Sequence, residues 1–325
     1  MNISELNTRF NTQEKCIAYL EWIRWDGIPV CPYCEHSDHI VKRREGYRYL
    51  CNNCNRSFSV FIDTVFEDTN LPLRYWFQII MLMINSKTGI SSCELHRQVG
   101  VTQKTAWFNA MKVRCAMLDQ AEFLEGILEM DEAYLTGKQR HPRTKIPDNE
   151  PRLSRVQSKR GRGTQKVPVV GIVSRDSGEV ATKVIEKLTS RNLLAMFRQY
   201  VKEDSGRSIL ITDEFASYKK FDEIVEHLTI EHQKEFSRGI INTNMIEGFW
   251  SLLKNGIRGN FRVISKKYLP FYLAEYSYKY NKRKQSDYGF DEVIDNAVED
   301  EKCMVNYKPA GDVKKICYPK KKRKE

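Results

Sequence analysis

Three acidic residues stand where the sequence predicts the ends of buried elements. Asp131 follows the apolar run of residues 127–130, and Asp213 ends a second apolar run, in the stretch SILITDEFASY. Glu247 lies near the start of a helical pattern. The apolar positions of that pattern share one face: Ile246, Phe249, Leu253 and Ile257. One such acid alone is more typical of a solvated loop or a helix cap, but three carboxylates together predict a site for Mg²⁺ or Mn²⁺.

A second candidate metal site is formed by four of the nine cysteines. They make two Cys-x₂-Cys pairs separated by sixteen residues: Cys31, Cys34, Cys51 and Cys54. This spacing is typical of a structural zinc site, in which two tight turns bring four thiolates around one ion. His36 and His39 are close enough in sequence to replace a ligand, and a redox role for either pair is the alternative. Residues 26–62 hold few apolar side chains, so we expect one Zn²⁺ to supply their folding energy.

The charge of the chain is unevenly distributed. Its 325 residues include 53 basic and 42 acidic side chains, which gives a net charge of +11. Residues 138–166 hold ten basic and two acidic side chains, and residues 308–325 hold eight and two. Such segments suit a polyanionic partner, because they can neutralise phosphates and release counterions. The alternative is that they are solvated linkers.

The hydropathy of the chain and the placement of its cysteines indicate where in the cell the protein is expected. The longest strongly apolar stretch, residues 76–84, is too short to cross a bilayer, so we expect no membrane partner. No signal-peptide pattern precedes the chain, and the cysteines outside the two pairs are scattered, as expected of thiols in a reducing compartment. We therefore expect a cytoplasmic protein. The C-terminal PKKKRKE resembles a nuclear import signal, either native or added as a tag, and only in that role would it place the protein in the nucleus. We favour the interpretation that it is a DNA-affinity tail.

Residues 1–25 predict a helical lead-in, and residues 70–120 predict three further helices. The starts of those three are marked by Pro72, by the capping-box match Ser91-x-x-Glu94 and by Thr102. A glycine between the last two helices predicts a helix-turn-helix, whose second helix would lie in the DNA major groove with its first turns against the base edges. The base-reading residues would be Thr102, Gln103, Lys104 and Asn109, with Ala106, Val113 and Met117 packed inward. A helical bundle that joins domains is the alternative.

Strand and helix patterns alternate over residues 124–285. An apolar strand leads to Asp131, residues 138–166 predict a loop, and a hairpin and a helix lead to the strand of the second aspartate. The helix of the glutamate follows, and an aromatic and basic helix over residues 266–284 closes the region. By itself this order indicates only an α/β domain, followed by a basic C-terminal tail at residues 286–325.

These segments resemble the DDE transposases of bacterial insertion sequences, specifically the zinc-ribbon group related to eukaryotic Merlin elements. The resemblance is carried by MDEAYLTGK, ITDEFASY, N-x-x-EGFWSLLKNGIRG and YLPFYLAEYSYKYNKRK. It covers nearly the whole chain and implies a ribonuclease-H-like catalytic core in an α/β multidomain protein. It also implies that Asp131, Asp213 and Glu247 hold two Mg²⁺ or Mn²⁺ ions about 3.5–4 Å apart. Lys254, two turns after the glutamate, would contact a DNA phosphate near the scissile bond.

The activity implied by the resemblance is transposition. Such a protein binds the terminal inverted repeats of its element in double-stranded DNA, cleaves the ends and joins the freed 3′-hydroxyls to a target. We therefore expect a homo-oligomer on DNA, associated with the nucleoid, with Arg160, Arg162 and Arg258 as further DNA contacts. A regulator that has kept only DNA binding is one alternative, but three acids argue against it. A ribonuclease-H-like nuclease is another, but it would not need a zinc ribbon and a helix-turn-helix.

Overall fold

A computed structural model describes residues 1–43, 47–118, 123–135, 166–201, 208–230, 242–285 and 289–299. Its α-helices are α1 (Ile3–Arg9), α2 (Gln13–Trp25), α3 (Leu73–Asn85), α4 (Ser92–Val99), α5 (Gln103–Ala116), α6 (Ser190–Tyr200), α7 (Asn244–Gly256), α8 (Leu269–Asn281) and α9 (Phe290–Glu299). Its strands are β1 (Ile40–Lys42), β2 (Arg48–Cys51), β3 (Arg56–Ser59), β4 (Ile127–Leu135), β5 (Val167–Ser174), β6 (Val180–Val184), β7 (Ile209–Asp213) and β8 (Glu226–Ile230). Among these described segments, no helix combines the length and the hydropathy that crossing a membrane requires.

The first of two compact units comprises residues 1–120 and 274–325. Its strands β1, β2 and β3 form an antiparallel sheet, in which Cys51 of β2 pairs with Ile40 on one side and with Arg56 on the other. The buried cluster on this sheet is small: Cys31, Tyr49, Cys51 and Phe58. So little apolar area cannot offset the entropy of ordering the segment, which makes cross-linking by a metal ion the expected source of its stability.

The helices α3, α4 and α5 follow the sheet in the first unit. Three residues connect α4 to α5, and Gly100 ends α4 with a φ of +79°, a left-handed conformation that glycine adopts without steric cost. The side-chain oxygen of Thr102 accepts a hydrogen bond from the backbone N–H of Thr105 and so caps α5. The chain therefore has the predicted helix-turn-helix arrangement.

Residues 290–299 form the helix α9, where we had predicted the start of a basic tail. The buried side chains of α9 recur at helical spacing: Phe290, Val293, Ile294, Ala297 and Val298. Phe290 packs against Phe10 and Phe77, so α9 contributes to the core of the first unit. The prediction of a basic tail was wrong for this stretch, because it holds four acids and an apolar period of about 3.6 residues. Residues 300–325 lie outside the described residues.

The second compact unit, residues 121–273, is built on a five-stranded sheet in the order β6-β5-β4-β7-β8. The strand β5 pairs antiparallel with both β6 and β4, whereas β7 pairs parallel with both β4 and β8. On one face, α6 packs on a core that includes Leu128, Met130 and Val170. On the other face, Gly171 of β5 lies against Ile246 and Trp250 of α7. This mixed sheet between helices confirms the predicted α/β class.

Candidate active site

Asp131 and Asp213 lie side by side because their strands are parallel neighbours. The last paired positions of β4 and β7 are Glu129 and Ile211, and each aspartate follows its paired residue by two positions. Side chains alternate across a strand, so both aspartates face the same side of the sheet as Glu129, the side that α7 covers. The parallel pairing therefore brings together two residues that are 82 positions apart in sequence.

A third carboxylate, which the sequence had not suggested, joins the two aspartates. One oxygen each of Asp131, Glu132 and Asp213 lie within 4.8 Å of one another, and all three side chains are half-buried. The Oη of Tyr218 donates a hydrogen bond to Oε2 of Glu132 at 3.1 Å. Strand alternation predicts that Glu132 points away from Asp131, so its place in the cluster does not follow from the sequence pattern. Three clustered carboxylate oxygens are a donor set that fits Mg²⁺ or Mn²⁺.

Negative charge is concentrated around Asp131. Burial, and after it the charge of Glu132, raise the pKa of its carboxyl from the ordinary value of 3.8 to about 7; the charges of Asp213 and Glu247 contribute less to this rise. Burial, followed by the charge of Glu132, also raises the pKa of the Tyr218 hydroxyl well above its usual range, so this hydroxyl remains a donor. Without a cation, the ionised carboxylates repel one another in a poorly solvated site.

This repulsion predicts a stability change that depends on pH. Because the raised pKa of Asp131 lets the folded state bind more protons than the unfolded state between pH 3.8 and about 7, stability falls as pH rises through that window. We expect Asp131→Asn to raise the melting temperature of zinc-loaded protein without Mg²⁺ by several degrees at pH 8. Near pH 4 the variant and the wild type should melt nearly together. Equal melting temperatures at pH 8, measured by circular dichroism, would contradict the repulsion.

Glu247 lies in the first turn of α7 and its side chain is exposed. Its Oε1 accepts a hydrogen bond from Oγ1 of Thr243 at 2.9 Å. It is near enough to raise the pKa of Asp131, although within the described part of the chain its oxygens are not among the three that cluster. The apolar face predicted for this helix is buried: Ile246, Phe249, Leu253 and Ile257. Lys254, two turns further along α7, is half-buried, and Asn244 at its start is exposed.

The four paired cysteines meet in the first unit. The Sγ atoms of Cys31 and Cys54 are 3.6 Å apart, as are those of Cys34 and Cys51, and all four lie within 4.8 Å of one another. Four sulfurs bound at about 2.3 Å to a tetrahedral Zn²⁺ lie roughly 3.8 Å apart, so the cluster fits this ion. Hydrogen bonds, the backbone one at Cys54 first, lower the pKa of the Cys51 thiol to about 7, whereas burial raises the pKa of the Cys54 thiol to about 12, so Cys54 would become a thiolate only on binding the ion. His36 and His39 are exposed and, among the described residues, are not part of the cluster.

The start of α5 presents the residues predicted to read bases. Thr102, Gln103 and Lys104 are all exposed, and Nε2 of Gln103 donates a hydrogen bond to Oγ of Ser92 on α4 at 2.8 Å. Asn109, in contrast, is only 4% exposed, so the prediction that it reads bases was wrong: it lies on the inner face of α5. The three side chains predicted to pack inward are buried: Ala106, Val113 and Met117.

Two regions of the chain match known protein families. Residues 123–281 match the ISXO2-like transposase domain, and residues 11–57 match the transposase zinc-ribbon domain. Together these matches cover more than half of the chain. The chain belongs to the DDE transposases of insertion sequences. These matches and the mixed sheet confirm the predicted fold class of the transposase, an α/β transposase domain preceded by a zinc ribbon.

The transposase is also similar to individual proteins. It is 29% identical to a protein in the transposable element ISH50 of Halobacterium salinarum, over 82% of this chain and 90% of that protein. Among solved structures, it is similar to a chain of a pre-cleavage Mos1 transpososome, with 12% identity, a TM-score of 0.31 and coverage of 72% and 78% of the two chains. It is also similar to a chain of a simian T-cell lymphotropic virus intasome complex, with 13% identity, a TM-score of 0.29 and coverage of 60% and 66% of the two chains.

Three further residues of the transposase, all outside α5, were predicted to contact DNA. Arg160 and Arg162, like residues 138–165 as a whole, lie outside the described residues. Arg258 is exposed in the π-helical segment of residues 257–261, just beyond α7. Its position leaves a phosphate contact sterically open.

Proposed function

We propose that this transposase binds the terminal inverted repeats of its element, cleaves the DNA at the ends and transfers the freed 3′-hydroxyls to target DNA. The observation that carries the proposal is the meeting of Asp131 with Asp213 on the parallel neighbours β4 and β7. Asp213 is the last residue of β7, as predicted, whereas Asp131 lies in the middle of β4 rather than at its end, because β4 continues to Leu135. Glu247 lies on the helix that covers the same face of the sheet. In a transposase domain, three carboxylates in this arrangement support phosphodiester cleavage and transfer.

The side chains of Asp131, Asp213 and Glu247 are proposed to hold divalent cations. Two Mg²⁺ or Mn²⁺ ions, when bound there, would activate water or a 3′-hydroxyl and stabilise the leaving oxygen. The residues themselves orient the site: Asp131 and Asp213 are fixed by the sheet, and Glu247 by α7. Glu132, held by Tyr218, adds negative charge that favours cation binding. No side chain needs to form a covalent bond with the DNA.

DNA binding is proposed to divide between base readers and phosphate contacts. Thr102, Gln103 and Lys104 would read base edges from the start of α5. Lys254, two turns after Glu247, would contact a phosphate near the scissile bond. The remaining proposed phosphate contacts are Arg160, Arg162 and Arg258. Because both ends of an element must be held together when they are transferred to the target, we infer that a dimer or larger oligomer acts on DNA.

Incubation with element DNA tests this function. Linear DNA carrying the repeats that flank the gene is mixed with the zinc-loaded protein and Mg²⁺, and the cut and joined strands are mapped on sequencing gels. We expect nicks at the repeat ends and strand-transfer products. Specific binding without any cleavage would indicate a transposase-derived regulator. Cleavage of RNA–DNA hybrids without strand transfer would indicate a nuclease.

The two kinds of DNA contact are expected to fail differently. Replacing Gln103 by alanine should cost roughly 1–3 kcal/mol of binding on the cognate end only, because it removes a base contact. Removing basic residues from segment 138–166 or 308–325 should weaken binding to all duplexes. It should also flatten the salt dependence by about 0.9 log–log units per lost phosphate contact. Fluorescence anisotropy on cognate and random duplexes at several salt concentrations measures both effects.

Gln98→Ala is the matched control, because Gln98 is an exposed glutamine on α4, outside the first turn of α5. It should leave the preference for the cognate end unchanged. An equal loss on both duplexes for Gln103→Ala would show that the start of α5 does not read bases. A truncation after Tyr307 that keeps the wild-type salt slope on random DNA would show that the tail does not contact phosphates.

A further inference from the structure

The residue at the N-cap position of α7 does not cap the helix with its side chain. Thr243 occupies the N-cap position, but its side chain accepts no hydrogen bond from the helix; its hydroxyl donates to Glu247 instead. The first N–H groups of a helix have no partner within the helix and need one from elsewhere. Asn242 accepts from the N–H of Asn244, and the partner of the N–H groups of Met245 and Ile246 comes from another part of the unit.

Glu129 of β4 supplies that partner. Its Oε2 accepts hydrogen bonds from the backbone N–H groups of Met245 at 2.9 Å and Ile246 at 3.0 Å, which lie 116 and 117 residues later in the chain. The side chain of Glu129 is fully buried. A carboxylate at this end of a helix also interacts favourably with the helix dipole.

Arg175, directly after β5, holds the other oxygen of Glu129. Its Nε donates to Oε1 of Glu129 at 2.6 Å. Its Nη2 donates to the backbone oxygen of Asn242 at 2.6 Å and to the side-chain oxygen at 2.9 Å, and that side-chain oxygen accepts from the N–H of Asn244 at 3.3 Å. The guanidinium therefore compensates the buried charge of Glu129 and binds the segment that precedes α7.

Gly171 lets α7 approach the sheet closely. It pairs with Asp131 across β4 and β5, and a Cβ at this position would lie 2.8 Å from both Cδ1 of Ile246 and Cζ2 of Trp250. Only glycine leaves room for the helix at this height above the sheet. The close packing and the cap at Glu129 thus act on the same turn of α7.

We propose that Glu129 and Arg175 are positioning residues that set the place of Glu247 relative to Asp131. Glu129 precedes Asp131 by two residues on the same face of β4, and Ile246 immediately precedes Glu247. The hydrogen bonds between Glu129 and α7 therefore join the strand of the first acid to the helix of the third through very short stretches of backbone. This inference rests on the proposed role of Glu247 as a metal ligand.

Mn²⁺ binding to the full-length, zinc-loaded protein tests the proposal without any DNA. Free Mn²⁺ is counted by electron paramagnetic resonance for the wild type, Glu129→Gln, Glu247→Gln and the double variant. We expect Glu129→Gln to weaken Mn²⁺ binding about tenfold, within the 10–100-fold range typical when the partner of a metal ligand is lost. In the Glu247→Gln background the same change should have almost no further effect, because no ligand is left to position.

Two further variants keep the test decisive. Arg175→Lys retains the charge beside Glu129 but loses the forked contact to Asn242, so it should weaken Mn²⁺ binding by a smaller factor; it decides the question if Glu129→Gln does not fold. Leu193→Ala removes a buried side chain of α6 on the opposite face of the sheet, and should lower stability while leaving Mn²⁺ affinity unchanged.

Three other results of these Mn²⁺ measurements would contradict the positioning role. Wild-type Mn²⁺ affinity in Glu129→Gln and Arg175→Lys would refute the positioning role. An equal loss with and without Glu247 would refute it too, because Glu129 would then act on something else. If Glu247→Gln alone leaves Mn²⁺ binding unchanged, the assignment of Glu247 in the proposed function fails, and the positioning role fails with it.

Discussion

Replacing Asp131 or Asp213 by asparagine, or Glu247 by glutamine, is expected to abolish cleavage of element-end DNA while leaving binding of the ends largely intact. Each change removes one of the proposed charged oxygen ligands but leaves the helix-turn-helix unaltered. Losing several kcal/mol of transition-state stabilisation lowers the rate by roughly 10³-fold or more. Single-turnover cleavage and gel-shift assays on the same DNA measure the two properties separately.

Glu214→Gln is the matched control for these variants. Glu214 directly follows Asp213 but its side chain is exposed, and within the described residues it is not part of the carboxylate cluster. It should cleave at a rate close to that of the wild type. A near-wild-type rate in any of the three test variants would remove that residue from the catalytic group, whatever its place in the fold.

Cys51→Ser is expected to release zinc and unfold the ribbon of the first unit. Zinc binding supplies about 10–16 kcal/mol in small zinc domains, and the buried cluster on this sheet is too small to replace it. Elemental analysis should find one zinc per wild-type chain and almost none in the variant, and end binding should fall. Trp25 packs edge-on against Tyr49 and Phe58, so its fluorescence should shift to longer wavelength as the cluster opens.

Cys93→Ser separates loss of zinc from loss of any thiol. Cys93 is an exposed cysteine on α4 and should change neither the zinc content nor the end binding. The zinc assignment would have to be abandoned if unchelated wild-type protein contained no zinc. Full end binding by Cys51→Ser would show that the ribbon is not needed for DNA recognition.

Much of the architecture could be predicted from local patterns in the sequence. The spacing of the cysteine pairs, the cap at Thr102 and the apolar period of α7 depend on residues within a few turns of one another. Physical rules that act over such distances can be applied without knowing the fold. Asp131 and Asp213 could be nominated in the same way, since each ends or interrupts an apolar strand, and the resemblance to transposases then linked them to Glu247.

Other features depend on which elements meet. Asn109 has the residue type of a base reader, but packing turned it into the core, and the charge of the C-terminal region concealed the apolar face of α9. Glu132 belongs to the cluster although strand alternation predicts the opposite direction, and its hydrogen-bond partner Tyr218 lies 86 residues away in the sequence.

Tertiary structure alone decided the role of Glu129. In the sequence it is one acid within an apolar strand, and such a residue is unstable in a core unless it is paired and hydrogen-bonded. Its partners on α7 and at Arg175 are remote in sequence and come together only when β4, β5 and α7 are packed. The sequence by itself thus determined which groups can do chemistry, and the packing of the sheet against α7 decided how they are held, because a buried charge can be satisfied only by the groups that the fold brings to it.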